Sequence, residues 1–239
     1  MAWTKAKTAV AAGAALIVLI SIITIVVNAG LFESRTYRVY AGGINEAHRY
    51  ADPLFTYPAG DDATRQYLVE LFAKFRPTLD PARALKSDTE LAEPDTRRRM
   101  IYIYGTPENH SFFRQIRSRL PLVFESDGVV VGNKKCLGRD VGAIFVCPNP
   151  VDPSRRLVIY GAVSPEALKN MNGVFHGPTD YVVFNDTTRQ YRGAQPSDCF
   201  LLAGAFDKSD PVHWRVDEDR QLLPPEDLRR AIARVIVDR

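Results

Sequence analysis

From Thr8 to Phe32 the chain carries no charged residue, and Ala9 to Val27 is almost wholly apolar: AVAAGAALIVLISIITIVV. As a helix, this stretch rises roughly 28 Å, the thickness of a bilayer's hydrocarbon core. A helix packed on a soluble core has a polar stripe, and this stretch has none. Lys5 and Lys7 precede it, so the positive-inside rule leaves the N-terminus in the cytoplasm and sends everything after Gly30 across the membrane. A cleaved secretory signal is the competing reading, with Val27-Asn28-Ala29 as its cleavage site. The apolar core exceeds the roughly 7–15 residues usual for such signals, which favours a retained single-pass anchor in the cytoplasmic membrane. Either reading puts the following domain in the periplasm or outside the cell.

About 200 residues remain for that domain, enough for one ordinary core. Of 31 Lys and Arg, Lys5 and Lys7 lie ahead of the leader, and 28 Asp and Glu nearly balance the rest. No charge excess draws the domain to nucleic acid. Arg97-Arg98-Arg99 reads as a solvated entrance to a strand, with an anion or partner contact as the alternative. Cys136, Cys147 and Cys199 show no CxxC spacing and no nearby histidine pair, which argues against zinc. Separately buried thiols are favoured over one disulfide with a free thiol, because Cys147 sits inside an apolar run.

The leader occupies residues 1–32. Residues 33–96 read as a short strand near Tyr37–Tyr40, a loop, a helix capped by Asp61 or Asp62 and stopped by Pro77, and a polar connection. Residues 97–239 form the core domain. Met100–Tyr104 is a buried strand, Thr106-Pro107 opens a helix that ends at Pro121, and Leu122–Glu125 is the next strand, together a parallel βαβ unit. Gly128–Leu137 reads as a hairpin. Ala143–Cys147, Leu157–Ala162, Asp180–Phe184 and Cys199–Phe206 are further strands. Ser164 caps a helix to Met171, and a last helix runs from Pro225 with Leu228, Ile232, Val235 and Ile236 inward. Alternating strands and helices predict an α/β fold, a mainly parallel sheet with helices on both faces in a Rossmann-like three-layer arrangement.

Ile103-Tyr104-Gly105-Thr106-Pro107-Glu108-Asn109, Leu120-Pro121 before Val129-Val130-Val131-Gly132, Pro148-Asn149-Pro150, Leu157–Gly161, Asp180–Phe184 and Ala203–Lys208 occur in a familiar order. On these motifs, residues 100–206 resemble a module at the C-terminal end of certain secreted, predicted peptidases of the prolyl-oligopeptidase type. In those proteins hydrolysis belongs to a separate α/β-hydrolase domain that this sequence does not contain. The resemblance implies an accessory or binding module of exported proteins and carries over no peptidase active site.

The motifs of catalysis are correspondingly missing. No Gly-x-Ser-x-Gly elbow, Walker loop, GxGxxG or HExxH occurs, and Ser164 is explained by capping. His48, His110, His176 and His213 form no i, i+4 pair, so neither a metal nor another cofactor is expected. Asp152, Asp180 and Asp186 stand beside turns, as Asp does for its backbone hydrogen bonds. The expected function is a membrane-anchored, extracytoplasmic, non-catalytic binding or accessory module. Its partners would be the membrane, through residues 8–29, and an envelope protein or peptidase. The expected contact surface joins the turn Gly105–His110, the loop Pro148–Pro153 and the loop Asn172–Pro178, with Gly105, Thr106, Asn109, His110, Asn149, Asp152 and His176 as binding residues. The alternative is a hydrolase of unrecognised type with His110 or His176 as base.

Overall fold

The computed structural model of the chain describes residues 43–47, 52–171, 174, 179–190 and 199–239. All belong to one unit, Val39–Arg239; the leader and the expected strand near Tyr37 lie outside the described residues. Among the described residues no helix is long and apolar enough to cross a membrane.

Among the described residues, eight strands form the main sheet. In chain order they are β1 (Pro53–Tyr57), β2 (Leu85–Ser87), β3 (Met100–Gly105), β7 (Gly142–Pro148), β8 (Arg156–Ala162), β9 (Tyr181–Phe184), β10 (Leu202–Asp207) and β11 (Arg215–Leu222). Across the sheet they run β11-β10-β9-β7-β8-β3-β1-β2. Four pairings are antiparallel and three, β8 with β3, β3 with β1 and β1 with β2, are parallel. A second, wholly antiparallel sheet holds β4 (Val123–Glu125), β5 (Gly128–Val131), β6 (Lys134–Leu137) and β12 (Ile236–Asp238), in the order β12-β6-β5-β4.

This overturns the expected parallel, Rossmann-like layout, and the causes are local. Only seven residues separate β7 from β8. A crossover between parallel strands takes a dozen or more, so these two can only fold back on each other. β4 does not return to β3 as the second strand of a βαβ unit. The Ser126-Asp127 turn pairs it with β5 instead, Phe124 opposite Val129. The apolar runs of β7, β8 and β9 are buried along their whole length because both faces of the sheet are covered, a property that says nothing of strand direction.

Among the described residues the helices other than Asp62–Phe75 are short. α1 (Ile44–Ala47) lies beside the Tyr102 hydroxyl, which donates to the Ala47 carbonyl at 3.0 Å. α2 (Asp62–Phe75) starts where its sequence says, with the Asp61 carboxylate accepting from the Thr64 N–H at 2.9 Å and Leu68 and Phe72 inward. The connection read as bare loop holds α3 (Pro81–Ala84), β2 and α4 (Glu93–Arg98). α5 (Ser111–Ile116) begins later than Thr106, with His110 as its cap. A 3₁₀ turn, Glu166–Met171, follows β8. α6 (Asp186–Gln190) follows β9, and α7 (Glu226–Ala231) ends early, passing Ile236 to β12.

The main sheet has two aromatic faces. On one, Phe55 stacks on Tyr102 with centroids 4.3 Å apart, Tyr104 stacks on Tyr160 at 4.3 Å, and Phe72 of α2 meets Phe55 edge-on. On the other, Phe113 of α5 and Phe124 of the small sheet meet edge-on at 5.3 Å over Gly161. Each such pair adds about 0.5–1.5 kcal/mol beyond its buried area. Gly161 is what lets both rings reach the backbone: a Cβ there would stand 2.8 Å from Phe124 and 3.0 Å from Phe113. A Gly161→Ala chain is therefore expected to lose about 1–3 kcal/mol of stability through overpacking. Urea unfolding checks it; an unchanged midpoint would show that the small sheet is free to shift outward.

Candidate functional site

The predicted turn after β3 is built as an internal device. The Asn109 side-chain oxygen accepts from the Thr106 N–H at 2.7 Å and from its hydroxyl at 3.0 Å, and the Asn109 N–H donates back to that hydroxyl at 3.1 Å. His110 is wholly buried. Its Nδ1 accepts from the Phe113 N–H at 3.3 Å, which leaves the ring proton on Nε2, 3.0 Å from the Thr56 hydroxyl. Thr56 in turn donates to the Tyr102 carbonyl at 3.1 Å. Every polar atom of the imidazole is thus used in joining β1, β3 and α5.

The anion that the start of α5 invites is supplied by the chain itself. Asp88, nearly buried, accepts from the Ser111 N–H and, at 2.7 Å, from the Ala59 N–H. Burial works to raise its carboxyl, but the Ser111 and Ala59 donors and the nearby imidazole outweigh it, and the group is held below the usual carboxylate range. Gly105 is enclosed as well: a Cβ there would stand 3.0 Å from His110 and 3.1 Å from Asn109. Gly105, Thr106, Asn109 and His110 come together as expected, but as framework.

Asn149 and Asp152 lie at the other end of the sheet. Gly105 is registered against Gly161 at one end of β8, whereas Pro148 pairs with Arg156 at its opposite end. The turn Gly105–His110 and the loop Pro148–Pro153 therefore cannot share a surface, because β7 runs antiparallel to β8. Asn149 is fully buried, donating to the Thr96 carbonyl at 2.6 Å and accepting from the Val151 N–H at 3.0 Å. Asp152 accepts from the Ser154 N–H and hydroxyl. His176 and nearly all of the loop 172–178 lie outside the described residues.

An open cavity stands at the edge where β1, β3 and β8 end. A cleft of about 380 Å³ lies between the first turn of α2 and the 3₁₀ turn after β8. Ala63, Tyr67, Leu168 and Met171 form its apolar walls, with Tyr104 beneath, its ring 6.3 Å from that of Tyr67. That volume falls in the lower range of small-molecule sites. Asp61 is at the rim with both oxygens on Thr64. Glu166 is held below the usual carboxylate range by its own N–H and the Ser164 hydroxyl. It therefore stays ionised at neutral pH, an acceptor and not a proton donor. Lys169 lies three residues on, and positions three apart on a 3₁₀ turn eclipse, so the mouth sets this one cation among the carboxylates of Glu166 and Asp61.

Sequence reasoning passed over this cleft. From sequence, Asp61 reads only as a candidate helix cap, and Met171 only as the end of the helix that Ser164 caps. The available signal was position: Tyr104 closes a buried strand, and ligands in open sheets gather beyond strand ends. Burial pushes the Cys136 and Cys147 thiols up to about 12, so both stay protonated and inert. Among the described residues, no group of three His, Cys, Asp or Glu is placed to hold a metal ion.

Burial drives the His110 pKa down to about 4, against a smaller opposing pull from Asp88. An unfolded histidine titrates near 6.5, so between those values the unfolded chain binds the proton and the folded chain does not. Stability is complete above pH 6.5 and falls as the pH drops towards 4, by roughly 3 kcal/mol in all from this group. Urea midpoints across that window should fall in the wild type and flatten in a His110→Asn chain, whose amide keeps the helix cap without a titrating proton. Parallel slopes would remove His110 as the cause.

No protein family, characterised protein or solved structure matches this chain, so what the cleft binds is read from its own geometry.

Proposed function

We propose that the chain is a membrane-anchored, extracytoplasmic binding or accessory module without catalytic chemistry of its own. The cleft between α2 and the 3₁₀ turn would hold its ligand, the apolar group of a small molecule or of a partner peptide. The supporting observation is the lining itself: apolar walls over a tyrosine floor, with carboxylates at the rim already engaged by donors of the chain. Such a site selects by shape and apolar contact and offers no poised proton. The buried, fully bonded state of His110 weighs against the hydrolase alternative that would use it as base. The uncharged leader and the resemblance to an accessory module of secreted peptidases support the location, with an envelope protein or peptidase as the partner to seek.

Two measurements test this reading. In membranes from expressing cells, the full chain should stay with the pellet through an alkaline carbonate wash and be released by detergent. Release by carbonate alone would sink the anchor. For the cleft, 4-phenylbutyrate is the probe: titrated into the detergent-solubilised chain, it should shift the amide resonances of Thr64, Tyr67, Leu168 and Lys169. Leu168→Asp should weaken its Kd by about tenfold or more, the equivalent of ~1.4 kcal/mol. Shifts spread over the surface, or unaltered binding by the variant, would show that the cleft is not a site.

A further inference from the structure

At the edge opposite the cleft, three segments are stapled together by hydrogen bonds to backbone carbonyls. The Asn149 side chain donates to Thr96 in α4, and the Asn149 N–H donates to the Arg155 carbonyl at 3.0 Å. The Arg119 guanidinium donates to the Pro150 carbonyl at 3.0 Å. These bonds bring the segments that carry Arg98, Arg119 and Arg155 to one edge, and all three residues are exposed. The nearby carboxylates are engaged elsewhere: Glu93 with Arg97 at 2.8 Å, Asp95 with Lys86 at 2.8 Å, Asp52 with Arg99 at 2.8 Å, and Asp152 with the N–H and hydroxyl of Ser154. Among the described residues, none of these three arginines has a carboxylate partner.

Exposed guanidiniums cost nothing to keep in water, and these three, one of them anchored on the Pro150 carbonyl, sit on segments joined by a buried asparagine and make a positive edge on a nearly neutral domain. We propose that this edge contacts anionic phospholipid headgroups, with Arg98, Arg119 and Arg155 as the contact residues. The proposal rests on the anchor argued above. The chain from Asn28 to Asp52, at about 3.5 Å per residue, reaches no further than roughly 90 Å, so an anchored domain never leaves the neighbourhood of the bilayer. Guanidinium matches phosphate in geometry, and a phosphate surface offers many acceptors at once, so weak contacts add. An acidic protein segment would meet the same arginines, but nothing in the chain keeps one near.

Arginine footprinting with phenylglyoxal, read by mass spectrometry, tests this on the full chain. The chain is incorporated in vesicles of phosphatidylcholine alone or of phosphatidylcholine with phosphatidylglycerol, with exposed Arg229 as the internal control. Modification of Arg98, Arg119 and Arg155 should slow several-fold in the anionic vesicles only. The protection should vanish in 1 M salt, where the screening length is about 3 Å. Equal rates in both vesicles, or equal slowing at Arg229, would overturn the proposal. Slowing by added polyglutamate but not by phosphatidylglycerol would overturn it in favour of an acidic protein partner. Flotation with phosphatidylcholine vesicles reads the anchor separately: a chain that fails to float there refutes the anchor, while footprinting with anionic vesicles still decides the arginine edge.

Discussion

The seven residues between β7 and β8 govern this architecture. Too short for a crossover, they force the chain to fold back in the middle of a sheet whose β8 side is parallel. One consequence is that the turn Pro148–Pro153 and the turn Gly105–His110 are sent to opposite edges. Another is the division of labour between those edges. The edge where β1, β3 and β8 end is open and apolar, and the opposite edge is closed by Asn149 and rimmed with arginine.

A second constraint shapes the open edge. The helix start after β3 would ordinarily be an inviting place for an anionic ligand, but Asp88 reaches across from the end of β2 to fill it. His110 seals the same corner from below through Thr56. With that corner occupied, the vacancy moves one strand connection aside, to the space over Tyr104 between Tyr67 and Leu168. The charge balance there is also settled within the chain, since Asp61 and Glu166 are tied to neighbouring donors before any ligand arrives.

How much of this was legible in the sequence depends on range. Met100–Tyr104, Leu157–Ala162 and Asp180–Phe184 announced themselves as buried strands because their signal is an unbroken apolar run. α2 did so because Asp61 and the spacing of Leu68 and Phe72 mark its cap and its face. β1 opens with a proline and β2 has three residues, so neither has a pattern of its own; each is a strand because a neighbour pairs with it. β11, Arg-Val-Asp-Glu-Asp-Arg-Gln-Leu, has no apolar run to mark it as a strand because it carries the charges of an exposed edge. His110 reads from sequence as a binding residue of the turn after β3, and the hydroxyl that its buried ring meets belongs to Thr56, 54 positions away. The cleft joins residues near 61–67 with others near 165–171, a juxtaposition that only the finished sheet creates.

The borders of the two sheets have a consequence of their own. The main sheet ends in β11, whose side chains are mostly ionic, and in β2, a three-residue stub whose Lys86 is tied to Asp95. The small sheet ends in β4 and β12, also three residues each. A second copy seeking to continue either ladder would find too few free N–H and C=O groups on three of these borders. On the fourth it would have to strip water from Asp217, Glu218 and Asp219. Crowding would raise the encounter rate between copies without giving them, among the described residues, a strand to extend.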